Sequence, residues 1–154
     1  MVKSGYFVSQ YIDVGEGSVQ PNGVDLSVDS IFQFDPWDEG VIFGDGVFIP
    51  DRELVSDVNG LYSLEKGTYI VQYNEKVEIP EDCIGLVLPR SSLMRCGSNI
   101  DTAVWDSGYN GIGLGRLDVG NRIQIERGAR VAQMIFIEAN SHKSYDGKYQ
   151  GENL

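Results

Sequence analysis

Four stretches of the chain combine charge, hydroxyls and glycine in ways that a sheet core does not require. Gln20-Pro21-Asn22-Gly23-Val24-Asp25-Leu26 sets a carboxylate where a strand begins. Leu88-Pro89-Arg90-Ser91-Ser92-Leu93-Met94-Arg95 puts an arginine and two hydroxyls at a strand-to-helix turn. Outward N–H groups and a guanidinium fork there suit a phosphate, although an ordinary capped helix with exposed arginines has the same pattern. Asp101-Thr102-Ala103-Val104-Trp105-Asp106-Ser107-Gly108-Tyr109-Asn110-Gly111 carries Asp106 between an aromatic residue and a Ser-Gly turn. A carboxylate held in such a mouth can take a proton from water; an Asp bonded only to its own turn would read the same way. In Gly128-Ala129-Arg130-Val131-Ala132-Gln133-Met134-Ile135, alternation puts Arg130 on a face with Ala132 and Met134, and Gln133 opposite with Val131. One of these faces is buried or functional, unless the segment is simply a sheet edge.

The elements that must position these groups are strands. Nineteen glycines punctuate short alternating or apolar runs, a pattern of many strands joined by turns. Strands are expected at Leu26 to Phe32, Gly46 to Ile49, Gly67 to Tyr73, Lys76 to Ile79, Ile84 to Leu88, Arg122 to Ile125 and Val131 to Glu138, with a hairpin turn at Asn59-Gly60. Helix is expected only briefly, at Tyr6 to Ile12 and at Ser91 to Cys96, the latter capped by Ser91 or Ser92. The fold expected is all-β, a sandwich or barrel with one short helix. The polar end after Ala139 reads as loosely ordered.

Composition narrows the function. The 154 residues suit a single domain, with 12 Lys and Arg against 23 Asp and Glu for a net charge of −11. Such a surface repels polynucleotide backbones, yet a few converging arginines would still hold one anionic ligand. The apolar runs Ile84 to Leu88 and Val131 to Ile137 fall far short of the roughly 20 residues that span a membrane. The N-terminal stretch shows no signal-peptide pattern, so a cytoplasmic protein with reduced cysteines is expected. Cys83, Cys96 and the lone His142, which sits in a polar tail, are too few for zinc or thiol–imidazole chemistry.

Taken together and in this order, the four segments resemble the motifs of the trimeric dUTPase and dCTP deaminase superfamily, and the archaeal-type dUTPases above all. Gly23-Val24-Asp25-Leu26 resembles the first motif, Pro89 to Leu93 the second, Ala103 to Gly111 the third and Gly128 to Phe136 the fourth. Tyr145 to Glu152 is similar to a deaminase-like tail, in place of a glycine-rich fifth motif. The resemblance implies a distorted jelly-roll, a homotrimer with shared active sites, and one domain over residues 1–154 whose segment 140–154 closes over a nucleotide. It implies hydrolysis of dUTP to dUMP and diphosphate, with Asp106 activating the water that attacks the α-phosphorus. Asp25 would touch a hydrated Mg²⁺ through water. Ser91 and Gln133 would contact phosphates, helped by Ser92 and Arg95, with Arg90 either contacting them or ordering the motif through local ion pairs. The segment from Asn99 to Tyr109, with Asp101, Thr102 and Ala103, would form a hairpin around uracil, and Tyr109 would lie under the deoxyribose and exclude a 2′-hydroxyl. Tyr145, Lys148, Tyr149 and Gln150 would fold over the triphosphate.

Departures from the family pattern matter as much. Deaminases carry a proton-shuttling Glu at the position that counting from Asp106 assigns to Arg116, and an arginine cannot serve as that base. This favours the diphosphatase over a dCTP deaminase or a bifunctional enzyme; a nucleotide-binding regulator without turnover is the non-enzyme alternative. Gly108 stands where many dUTPases have a second Asp. The acidic segment Phe34 to Asp57 matches no motif and reads as a surface excursion or trimer contact.

Overall fold

The computed structural model describes residues 1–35, 43, 44, 46 and 49–154. Among these lie β1 (Val19–Gln20), β2 (Gly23–Phe34), β3 (Arg52–Leu54), β4 (Leu61–Leu64), β5 (Gly67–Tyr73) and β6 (Val77–Glu78). There follow β7 (Cys83–Pro89), β8 (Ser98–Asp101), β9 (Asn110–Gly111), β10 (Leu114–Val119), β11 (Ile123–Glu126) and β12 (Arg130–Glu138). Two short helices, α1 (Gly5–Val8) and α2 (Ser91–Arg95), complete the set with a 3-10 turn at Glu16–Ser18.

The main sheet runs β7-β12-β2-β5-β10-β8, with β1 and β3 added on β2. Its two ends meet where Gly85 and Trp105 exchange backbone hydrogen bonds of 2.8 and 3.0 Å, so the sheet nearly closes on itself. This is the expected jelly-roll-like all-β fold. Val24, Leu26, Ile31, Val71, Leu117, Met134 and Phe136 fill the interior, each worth roughly 1.5–3 kcal/mol of burial. Asn59 and Gly60 both take positive φ, 53° and 79°, the backbone that a two-residue hairpin turn demands.

Several expectations need correction. Helix α1 stops at Val8 because Ile12 leaves to bridge Val77, so the expected helix to Ile12 is cut short. The cap of α2 is Arg90, in extended conformation, and neither Ser91 nor Ser92 caps it; both hydroxyls are left at the surface. Strands β1, β3, β4, β8, β9 and β10 add to those expected. Asn99 to Tyr109 is not a hairpin of its own: β8 pairs with β10, and β9 with β6. The centre of the expected strand Gly46 to Ile49, and much of Phe34 to Asp57, lie outside the described residues.

A bulge in β12 decides the fate of the fourth motif. Register shifts between Arg130 and Ala132, so Val131 and Ala132 are both buried. Simple alternation therefore fails for Arg130, which joins Gln133 in facing Asp25 rather than sharing the inner face of Ala132. Ser27, where the bulge pairs, is tied down by Glu75, which accepts from its backbone N–H at 2.9 Å and from its hydroxyl.

Candidate active site

The site builds up from two groups of side chains at opposite ends of β7. The first group centres on Asp25, only 2% exposed. Its neighbour across the strands is Gln133, whose side chain lies close over Gly23. Three donors converge on Asp25 Oδ2: Gln20 Nε2 at 3.0 Å, Arg90 Nε at 3.2 Å and Arg130 Nη1 at 3.3 Å. Burial pushes the Asp25 carboxyl up, while Arg90, Arg130 and Gln20 pull it down. Arg90 also donates to the Arg130 carbonyl at 3.2 Å, beside its ion pair with Asp25. One carboxylate against two guanidiniums leaves an excess of positive charge, suited to an anion. Ser91, Ser92 and Arg95 follow on α2, all exposed.

The second group surrounds Asp106. Trp105 is held by its backbone bridge to Gly85 and by Nε1 donating to Thr102 Oγ1 at 3.1 Å. Its ring rests on Gly113, where an added Cβ would lie 2.3 Å from the indole. Tyr109 packs edge-on against Trp105 at 5.0 Å and against Tyr145 at 5.9 Å. Together with Thr102, Ala103, Asp106, Tyr149 and Glu152 these walls enclose a cavity of about 130 Å³. A wider groove of about 480 Å³, between Ile84 and the segment Ser141 to Gly147, also reaches Asp106. Asp106 is thus exposed at the junction of a base-sized cavity and a larger channel. Among the described residues its carboxylate has no hydrogen-bond or ion-pair partner.

The tail is not loose. Tyr145 donates its N–H to the Ser107 carbonyl at 2.8 Å, and Gly151 to Asn110 at 2.8 Å. Gln150 donates to the Gly108 carbonyl and accepts from Asn110 N–H, both at 2.9 Å. Lys148 lies over the Tyr149 ring at 5.5 Å. Polar composition misled here because Tyr145 and Gln150 spend their polar groups on backbone. The tail walls the base-sized cavity of its own chain, away from the Asp25 group. Asp101 is taken up differently, bonded at 3.1 Å by Arg116, which also reaches Asp118 at 3.1 Å. Trp105, Arg130, Gln20 and Glu152 had no role in the sequence reading; each stands inside or beside a quoted motif, which was the available signal.

Two half-buried carboxyls give a pH dependence. Burial raises Glu75 and Glu152 above their ordinary value of 4.5. The folded chain therefore holds these protons more tightly than the unfolded one, and the stabilisation is full below the ordinary value and lost as pH rises through the folded pKa. Melting temperature is expected to rise between about pH 7 and about pH 5, and Glu75→Gln should flatten that slope in thermal scans.

Comparison with known proteins gives the frame for this geometry. Residues 2–139 match a protein family described as dCTP deaminase-like. The chain belongs to the dCTP deaminase-like family. A member from Halobacterium salinarum, named probable deoxyuridine 5′-triphosphate nucleotidohydrolase, is 42% identical over 99% of this chain and 95% of its own. One of the same name from Aeropyrum pernix is 39% identical over 90% and 88%. The crystal structure of a dCTP deaminase from Agrobacterium tumefaciens superposes with a TM-score of 0.65 at 22% identity, covering 88% of this chain. This chain spans about half (47%) of that deaminase's length, and the likeness is one of fold. Cys83 and Cys96 are free thiols, and among the described residues no helix is long and apolar enough to cross a membrane.

Proposed function

We propose that this dCTP deaminase-like chain is a cytoplasmic dUTP diphosphatase that releases dUMP and diphosphate. The observation that carries the reading is the unpartnered Asp106 carboxylate at the mouth of a cavity sized for one pyrimidine. Uracil enters beside Trp105 and Thr102, with Tyr109 under the deoxyribose. Asp106 takes a proton from a water aimed at the α-phosphorus. Ser91, Gln133 and Arg90 hold phosphate oxygens, with Ser92 and Arg95 at hand.

The two groups belong to one reaction only if they come from different copies. Ile84 borders the Asp106 groove and Ser91 follows the far end of β7. Seven residues of nearly extended chain separate them by about 20 Å, too far for one triphosphate to touch both. We therefore infer that neighbouring subunits of a homotrimer complete each site. Asp106→Asn and Ser91→Ala chains, each impaired alone, should recover about a quarter of wild-type activity when refolded together as a random mixture. Failure to complement in a mixed trimer would oppose a shared site.

The donors fit magnesium only as an ion carried by the substrate. Asp25 is one carboxylate, already shared by Arg90 and Arg130, and the described residues hold no cluster of three His, Cys, Asp or Glu side chains. A hydrated Mg²⁺ on the triphosphate needs no more than a water-mediated contact to Asp25, and when bound it neutralises charge on the phosphates.

Deamination of dCTP is the competing reaction. Arg116 speaks against it: its guanidinium is pinned between Asp101 and Asp118, and an arginine cannot serve as the proton-shuttling base. An assay with dUTP and dCTP in parallel, with Mg²⁺ and with chelator, tests the reading. Magnesium-dependent diphosphate from dUTP without ammonia from dCTP is expected; ammonia from dCTP would overturn it.

A further inference from the structure

Tyr109 is 6% exposed and its hydroxyl donates to Glu152 Oε1 at 2.9 Å. Burial pushes the Tyr109 hydroxyl far above its ordinary range, with the Glu152 carboxylate adding to the shift, so the phenol remains a donor. The approach is built into the backbone: a Cβ on Gly111 would sit 2.6 Å from the Tyr109 oxygen and 3.2 Å from the Glu152 carbonyl. Only glycine lets the phenol and the tail cross there. Glu152 is itself held, its carbonyl accepting from Ile112 N–H at 3.0 Å, while Asn153 Nδ2 donates to the Ile112 carbonyl at 2.8 Å.

We infer that Glu152 is a positioning residue for sugar selection: by accepting from the Tyr109 hydroxyl it fixes the ring that rejects a ribonucleotide. The inference rests on the dUTP reading above, in which Tyr109 lies under the deoxyribose. Rejection of a 2′-hydroxyl by a ring is steric, and a clash discriminates only as well as the ring resists moving. Trp105 and Tyr145 pack against Tyr109 with their rings steeply inclined to it, but packing alone lets a phenol tilt; a third restraint at its far end does not. Selection between dUTP and UTP is thereby made to depend on the docked tail.

The test compares kcat/KM for dUTP and UTP in Glu152→Ala, Glu152→Gln, Tyr109→Phe and the Ala/Phe double variant. The dUTP preference is expected to fall about tenfold in Glu152→Ala and in Tyr109→Phe, each of which removes the same charge-assisted bond. It should fall no further in the double variant, and Glu152→Gln, whose amide oxygen still accepts, should restore most of it. Parallel losses for both nucleotides, an unchanged ratio, or effects that multiply in the double variant would each overturn the inference. Hydrogen exchange at Ile112 and Gly151, read without nucleotide, should quicken in Glu152→Ala. Faster exchange with an unchanged ratio counts against selection, whereas a wild-type chain inert on dUTP counts against the diphosphatase reading itself.

Discussion

Asp106→Asn is expected to lower dUTP turnover by about 10³-fold, the contribution of a positioned general base, with nucleotide affinity kept. The change is isosteric, and the carboxylate it removes has no partner among the described residues. No hydrogen bond of the fold is therefore lost, and the melting temperature should stay within a degree or so of wild type. The asparagine amide can orient a water but cannot accept its proton. Single-turnover hydrolysis and calorimetric titration with dUTP, run on the same preparation, separate the two effects. Persistent turnover would move the base elsewhere, and a loss of affinity equal to the loss of rate would make Asp106 a binding residue.

Asp25→Ala should have the largest effect on stability. Oδ2 of Asp25 is the meeting point of Gln20, Arg90 and Arg130, so its removal leaves two guanidiniums side by side with no counter-charge. Breaking a buried ion pair from one side costs about 3–5 kcal/mol. Both arginines keep some contact with water, with side chains 32% and 38% exposed, which brings the expected loss to about 3 kcal/mol, or a fall of about 9 °C. Asp25→Asn, which keeps an acceptor oxygen but not the charge, should lose less. Thermal unfolding in low and high salt checks the cause: salt should recover part of the loss in Asp25→Ala, since what remains is repulsion between like charges. A salt-independent loss would point to cavity formation instead.

What the sequence made legible followed from local chemistry. Gly67 to Tyr73 and Val131 to Glu138 are rich in β-branched and aromatic residues, and both are strands within a residue of their expected bounds. The four motifs stood out because glycine-punctuated charge has no purpose in a core. Three features were hidden because they depend on partners distant in sequence. Strand β10 contains Gly115 and Arg116, a poor strand by propensity; it forms because the Tyr73 side chain fills the space above Gly115 and acidic neighbours hold Arg116. The β12 bulge is set by register against β2, so alternation placed Arg130 on the wrong face. The tail looked solvated by composition, yet its order comes from the Gln150 amide and from tail backbone N–H groups that find backbone partners on the third motif.

Strand β7 has a further consequence. On the shared-site proposal above, it separates the Asp106 end, bridged through Gly85 and Trp105, from the serines that follow its far end, and so acts as a spacer that would keep a solitary chain silent. Activity then becomes a property of association and obeys mass action. Total activity should fall on dilution with a power greater than one in protein concentration, while the fold of each chain, closed by its own β7–Trp105 seam, persists. On that proposal a newly made chain leaves the nucleotide pool untouched until enough copies have accumulated to meet.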